Sequence, residues 1–443
     1  MATPDPYGSS AAVPPAGRSE AGCCEEYEHA AGVSRRRFLQ GAAATGAGAV
    51  ATSVFGDAVR QTAFAATAGG NVLVVISLRG GIDGLGMVVP HADPAYYSAR
   101  PRLSLPADRL VARDDFFGLH PAMKPVEWLF TGGELAAVQA VGMDRPNRSH
   151  FLAMEEIEDA DPTSSVRRGW VNRMVGLNQV SQPTEAVHLT SSMVPTMLAG
   201  PAPTLSASNL NDFSLPGADD SWAQARRRQL GTVWGGAPGP LGAAGRSALR
   251  VVDRLGPVAE QDYTPSNGVT YPTSWPSSGL SAALKDTAHL IRAEVGAEIV
   301  SVDYGSWDMH SDYGTDEWGE MQSMVTGFAE SLDAFMRDLG PALRSRVTVV
   351  TISEFGRRVA ENGNRGLDHG WGNMMLVAGG GVKGGRYYGT WPWLSSPELE
   401  DGDLAVTTDY RNVLGEIVTR RFPDRSIGTV FPGLTYRPLG IMR

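Results

Sequence analysis

The sequence predicts an α/β protein with a mostly parallel central sheet flanked by helices. Residues 71–78 (NVLVVISL), 298–304 (EIVSVDY) and 346–352 (RVTVVTI) are short, nearly unbroken apolar runs. That is the pattern of strands covered on both faces, as in a parallel sheet. Residues 315–339 instead carry Met321, Met324, Val325, Phe328, Leu332, Phe335 and Met336 at spacings of three and four, the stripe of a core-facing helix. The two kinds of segment alternate along the chain, and parallel neighbours require crossover connections of this sort.

Each element follows in order. The first strand breaks at Arg79-Gly80-Gly81-Ile82-Asp83-Gly84. Residues 134–142 (ELAAVQAVG) form a second strand, 149–160 a helix and 186–191 a third strand. The stretch 201–280 is mixed, with helices near 219–230 and 240–256 and a Pro/Ser/Gly-rich loop at 264–280, and reads as an insertion or cap near 200–280. A helix at 279–295 precedes the strand at 298–304. After the strand at 346–352 comes another at 373–378 (NMMLVA). A closing helix spans 408–422, with Thr407 or Thr408 as its N-cap and Asp409 and Arg411 capping and pairing nearby.

The first 65 residues stand apart. Residues 1–33 are polar, Ser34-Arg35-Arg36-Arg37-Phe38-Leu39-Gln40 is basic, 41–55 is weakly apolar, and Ala63-Phe64-Ala65 offers an A-x-A cleavage site. This is the layout of a twin-arginine export signal, with the translocase as partner and an extracytoplasmic destination. The apolar run is shorter than the ~20 residues a membrane span needs. The expected division is therefore a signal at 1–65 and one large domain at 66–443. That domain would hold 33 basic against 42 acidic residues, a net −9, which disfavours nucleic acid as a partner. Both cysteines, Cys23 and Cys24, fall in the leader, so thiolate catalysis, disulfides and Cys-ligated metals are excluded from the remainder. Without a cysteine cluster or a G-x-G-x-x-G after the first strand, a redox enzyme has no support.

In open α/β sheets, ligands bind beyond the carboxyl ends of strands. Those positions carry Asp83, then Arg148, Ser149 and His150, then Asp308 and His310, then Glu354 and Arg357, with Asp368 and His369 ahead of the strand at 373–378. Asp, Glu and His without Cys suit a divalent ion such as Zn, Mn, Mg or Ca, one or two in number. Asp83, Asp308, His310, Glu354, Asp368 and His369 are the candidate ligands. Ser149, at a helix start, is a candidate nucleophile toward a small anionic ester, with His150 read as a helix-start residue. Arg79, Arg148 or Arg357 could clamp its oxygens. The plainer alternatives are a turn at Asp83, an N-cap at Ser149 and an ion pair between Glu354 and Arg357. His91, His120, His188 and His289 read as structural or surface residues.

The stretches LRGGIDGLGMVVP (78–90), YYSARPRLSL (96–105), NRSHF (147–151), WDMHS (307–311), SEFGRR (353–358), LDHGWGNMMLVAGGGVKGG (367–385) and TTDYRNVL (407–414) resemble the DUF1501 family of exported bacterial proteins. The arrangement also looks like the alkaline phosphatase superfamily of phosphatases, sulfatases and phosphopentomutases. That resemblance implies an alkaline phosphatase-like fold with two metal sites. It makes Asp83 a ligand after the first strand, Ser149 the nucleophile and His369 the last ligand, and sets Glu354 where an Asp-His pair usually stands. Asp308 and His310 lie two apart, unlike that superfamily's Asp-x-x-x-His. The function expected is metal-dependent hydrolysis or transfer of a phosphate or sulfate ester; the alternative is a non-catalytic exported binding or envelope-assembly protein keeping the fold.

Overall fold

A computed structural model of the protein describes residues 70–178, 182–213 and 221–443. The expected export signal, its expected cleavage site and both cysteines lie outside the described residues. Among the described residues eleven strands occur: β1 (Val72–Leu78), β2 (Val88–Val89), β3 (Gly118–Leu119), β4 (Leu135–Gly142), β5 (Ala186–Leu189), β6 (Leu205–Ala207), β7 (Ile299–Tyr304), β8 (Val347–Ile352), β9 (Asn373–Gly379), β10 (Arg386–Tyr388) and β11 (Thr408–Asp409). Strands β2 and β3 pair with each other. The other nine form one sheet in the order β10-β4-β9-β8-β1-β7-β5-β6, with β11 also on β4.

The sheet is parallel except at β9, which runs antiparallel to both β8 and β4. The middle strand β1 sets Val74 against Val300 on one side and Val349 on the other. Its side chains alternate between two helix layers, as a two-residue period demands. Val74, Ile76 and Leu78 meet α5 (Ser278–Arg292) and α6 (Glu320–Arg344). Leu73 and Val75 meet α1 (His150–Asp159), α2 (Trp170–Val175) and α7 (Tyr410–Arg421). Every residue of β1 is buried, which explains its unbroken apolar reading. Among the described residues no helix is long and apolar enough to cross a membrane.

Three sequence expectations are corrected. The helix expected from 315 begins at Glu320, because Gly314 (φ +90°) and Gly319 (φ +114°) hold a turn in the left-handed region. Helical geometry then breaks at Gly340, before Pro341. The last helix is capped by Asp409, whose carboxylate accepts the Arg411 N–H, not by Thr407 or Thr408. The stretch 200–280 is only partly an insertion. Within it β6 is an edge strand of the sheet, and α4 (Gly239–Ala259) buries Val251 and Leu255 in the main core. Only α3 (Ala223–Gly235), with no buried residue, stands off, tied to α4 by Arg227 and Asp253.

One buried acid makes stability depend on pH. Glu185, just before β5, is 3 % exposed and accepts a 2.7 Å hydrogen bond from Asn178. Burial, reinforced by the charge of Glu298, pushes its carboxyl up to about 7. Its folded pKa thus exceeds its unfolded one, so its contribution is fully present below about pH 4.5 and is lost as pH rises through about 7. Glu185→Gln is therefore expected to raise unfolding free energy by about 2 kcal/mol at pH 8 and by little at pH 4.5. Urea unfolding at both pH values checks this; an equal change at both would remove Glu185 as the cause.

Candidate metal centre

The carboxyl edge of the parallel strands gathers loops from β1, β4, β7 and β8. Because β9 is antiparallel, the residues preceding it arrive at this same edge. That is why Asp368 and His369, which come before a strand, face residues that follow strands.

Each loop is held locally. After β7, Trp307 is buried and donates its Nε1–H to the Tyr304 carbonyl at 3.0 Å, which fixes the backbone of Asp308. The β1 loop packs against it so closely that a Cβ at Gly80 (φ +110°) would lie 2.8 Å from the Asp308 nitrogen. His369 is anchored by backbone bonds from Gly370 N to Gly356 O (2.8 Å) and from Arg358 N to Asp368 O (2.9 Å). His150 occupies the first turn of α1, just past β4.

Four side chains converge. His369 Nε2 lies 3.0 Å from His150 Nε2, 3.0 Å from His310 Nε2 and 3.2 Å from Asp308 Oδ1. His310 Nε2 is 3.1 Å from Asp308 Oδ1, and His150 Nε2 is 3.5 Å from Asp308 Oδ2. Donors about 2.1 Å from one ion would be separated by roughly 3.0–3.4 Å, whether octahedral or tetrahedral. His150, Asp308 and His369 form the group of donors that could hold a metal ion, and His310 adds a fourth.

The ring tautomers follow from the other nitrogens. His369 Nδ1 faces the Arg148 carbonyl at 2.9 Å, and a carbonyl only accepts. His150 Nδ1 faces Glu354 Oε1 at 2.9 Å, and His310 Nδ1 faces Asp368 Oδ1 at 3.0 Å. Both carboxyls are ionised: burial opposes their charge, but the hydrogen bonds from His150 and His310 respectively hold them below the usual range. All three Nδ1 atoms therefore face acceptors, and the three Nε2 atoms face one another and a carboxylate. Such a set is stable only around positive charge. Imidazoles tied back through Nδ1 to carboxylates and carbonyls are the usual surroundings of a metal. Burial opposes charge on His150, yet Asp308 and Glu354 raise its pKa to about 9. Burial likewise opposes the Asp308 charge, but the three histidines and Arg357 keep its carboxyl far below the normal range.

The structure brings together Asp308, His310 and His369, with Glu354 and Asp368 behind them. Asp83 is not among them. Its two oxygens take a bidentate pair from Arg100 at 2.6 and 2.9 Å and the Tyr313 hydroxyl at 2.6 Å, all buried. Glu354 supports His150 and accepts the Gly80 N–H at 2.7 Å rather than facing the ligand atoms. The plainer alternative of an ion pair between Glu354 and Arg357 does not form either. Arg357 spends its guanidinium on Asp308 and on the carbonyls of Gly80, Gly81, Leu367 and Trp307, so no fork remains for a substrate. Arg148 pairs with Asp403 and Asp401, and Arg79 with Glu158 and Asp303. Ser149 stands at the N-cap of α1 with no side-chain capping bond. His120, His188 and His289 are buried away from the cluster, His188 on Ser301 and His289 stacked on Tyr263.

His150 is the member that sequence reading treated as a helix-start residue. Its signal was available: an imidazole in the first turn meets the positive end of the helix dipole, where it is better used as a neutral lone-pair donor than as a cation.

The chain matches the family described as "Protein of unknown function (DUF1501)" over residues 71–412. It belongs to that family. No curated protein matches this DUF1501 chain. Among solved structures it is similar to the C-terminal periplasmic domain of EcEptC from Escherichia coli in complex with Zn, at 8% identity over 73% of this chain and 75% of that one, TM-score 0.31. It is similar to the PsFucS1 sulfatase from Pseudoalteromonas sp. at 9% identity, covering 84% and 73%, TM-score 0.32. The alkaline phosphatase of the Antarctic bacterium TAB5 is similar at 12% identity, covering 72% and 94%, TM-score 0.29. These likenesses are remote, and the reading of the DUF1501 site rests on its own geometry.

The hydrogen bonds behind the imidazoles give a graded expectation. Asp368→Asn keeps the shape but replaces a charged acceptor, and is expected to weaken metal affinity about 10- to 100-fold. Arg358→Ala, on the same loop but bonded to the Asp401 carbonyl, is expected to leave it within about threefold of wild type. Competition with a chelating dye measures both; equal effects would mean that Asp368 acts only through the loop.

Proposed function

We propose that this DUF1501 protein is an exported hydrolase or transferase acting on phosphate or sulfate esters with a single divalent ion. The observation that supports this is the convergence of three Nε2 atoms and one carboxylate, each imidazole tied back through Nδ1, at a sheet edge where Asp308 and His310 are part-exposed. Three imidazoles and one carboxylate favour Zn or Mn over Mg or Ca, which prefer oxygen ligands. One ion rather than two is favoured because Asp83, the ligand expected for a second, is held by Arg100. A bound divalent ion would supply Lewis acidity toward an ester oxygen.

In this reading His150, Asp308, His310 and His369 hold the ion, and Glu354, Asp368 and the Arg148 carbonyl fix the rings. Ser149, beside His150 and making no capping bond, is assigned as the attacking hydroxyl. Arg79, like Arg148 and Arg357, is already paired, with Glu158 and Asp303, so the ion itself carries the attraction for the anion. The twin-arginine translocase would export the chain after folding, since the donors come together only in the folded state.

The test is turnover of p-nitrophenyl phosphate and p-nitrophenyl sulfate alongside metal content. Wild type should hold about one ion and turn over one of the esters, EDTA should abolish turnover, and Ser149→Ala should lower kcat by at least ~100-fold with the metal retained. Bound metal without turnover would support a second reading, a non-catalytic metal-binding envelope protein. That reading is favoured by one observation: Arg79, Arg148 and Arg357, expected as substrate clamps, are all taken up by internal partners.

A further inference from the structure

The chain contains Trp391-Pro392-Trp393 in the segment after β10, and its two indoles are treated oppositely. Trp391 is tucked in, its Nε1–H donating to Asp93 at 3.0 Å. Trp393 is 50 % exposed and sits at φ +69°, a left-handed conformation that is costly for a bulky residue. Asp93 enforces this. It is 2 % exposed and accepts from Trp391 Nε1, from Leu394 N at 3.0 Å and from Ala95 N at 3.0 Å, so the indole before Trp393 and the backbone after it are both pinned to one carboxylate. From beneath, Phe116 meets the Trp393 ring edge-to-face at 5.3 Å and braces its angle. The fold therefore accepts backbone strain to hold a large apolar ring in water.

Trp393 also lines an open cavity of about 640 Å³ together with Asp93, Pro94, Ala95, Ser98, Ser395 and Glu398. That volume is in the range of small-molecule sites. One wall is a flat π face continued by Pro94 and Ala95; Ser98, Ser395 and Glu398 add hydroxyls and a carboxylate. A ligand matching both has an apolar face and a hydrogen-bonding edge. A pyranose fits: its axial C–H bonds, polarised by ring oxygens, meet the negative face of an indole, and its equatorial hydroxyls meet acceptors at the rim. Gluco-configured, β-linked rings present the flattest such faces. We propose that the cavity beside Trp393 is a saccharide subsite for a β-linked pyranose glycan, stacked on Trp393 with its hydroxyls toward Glu398, Ser98 and Ser395. It shares no residue with the metal centre and does not depend on the function proposed for it.

Calorimetric titration of the full chain with cellohexaose, laminarihexaose and chitohexaose tests this. At least one should bind. Trp393→Ala should weaken that binding at least ~10-fold, Trp393→Phe less than ~3-fold, and Glu398→Gln by an intermediate factor, all with unchanged Tm and metal content. Three results would overturn the proposal: no binding of any of the three at 10 mM, equal binding by Trp393→Ala, or binding of tetramethylammonium but of no sugar. Trp393→Phe keeps the test valid should the alanine variant fold poorly.

Discussion

His369→Ala is expected to strip the purified protein of its ion, from about one equivalent to none. His369 Nε2 is the common neighbour of the cluster, 3.0–3.2 Å from both other imidazoles and from Asp308. Structural zinc sites bind with roughly 10–16 kcal/mol, so one ligand of four represents about 3 kcal/mol, a loss of at least ~100-fold in affinity. The loss should be larger here, because removing the shared vertex leaves His150 and His310 without the neighbour they have in common. His91→Ala, whose ring bonds only the Asp114 carbonyl, should leave the ion in place. Metal content by plasma mass spectrometry reads both, and retention of a full equivalent by His369→Ala would show that the ion is held elsewhere.

Arg100→Met is expected to cost about 3–5 kcal/mol of stability, because it leaves the buried Asp83 carboxylate without its cation. Arg100 is completely buried, and it also donates to the carbonyls of Val359 (2.8 Å) and Arg358 (3.1 Å). The double variant Asp83→Asn, Arg100→Met removes the stranded charge but not the stranded carbonyls. It should therefore recover about 2 kcal/mol rather than the whole loss. Denaturant midpoints of the three variants measure this, and a single variant within 1 kcal/mol of wild type would mean that the Asp83–Arg100 pair does not carry the loop.

The two substitutions separate what Asp83 and His369 were expected to share. Both sit at strand ends in Gly-containing loops, and by chain position each suits a ligand. Asp83 is claimed by Arg100, 17 residues on, and by Tyr313, 230 residues on. Nothing in Gly-Gly-Ile-Asp-Gly announces those partners. His150 was undervalued for the converse reason: its partners Glu354 and His369 lie 204 and 219 residues away. Local sequence shows which groups are present at an edge, while their pairing is a long-range property.

The sequence by itself determined the α/β class, the strands at 72–78, 299–304 and 347–352 and the edge of the sheet where the polar residues gather, because hydrophobic periodicity is local and burial on two faces leaves few alternatives. It also carried the family, through motifs spread from Leu78 to Leu414. Only the tertiary structure decided that β9 runs antiparallel and so delivers His369 to that edge, that Arg100 pairs with Asp83, and that three imidazoles bring their Nε2 atoms together. Those outcomes depend on strand order and on competition among many charged groups for a few partners, which chain spacing does not encode.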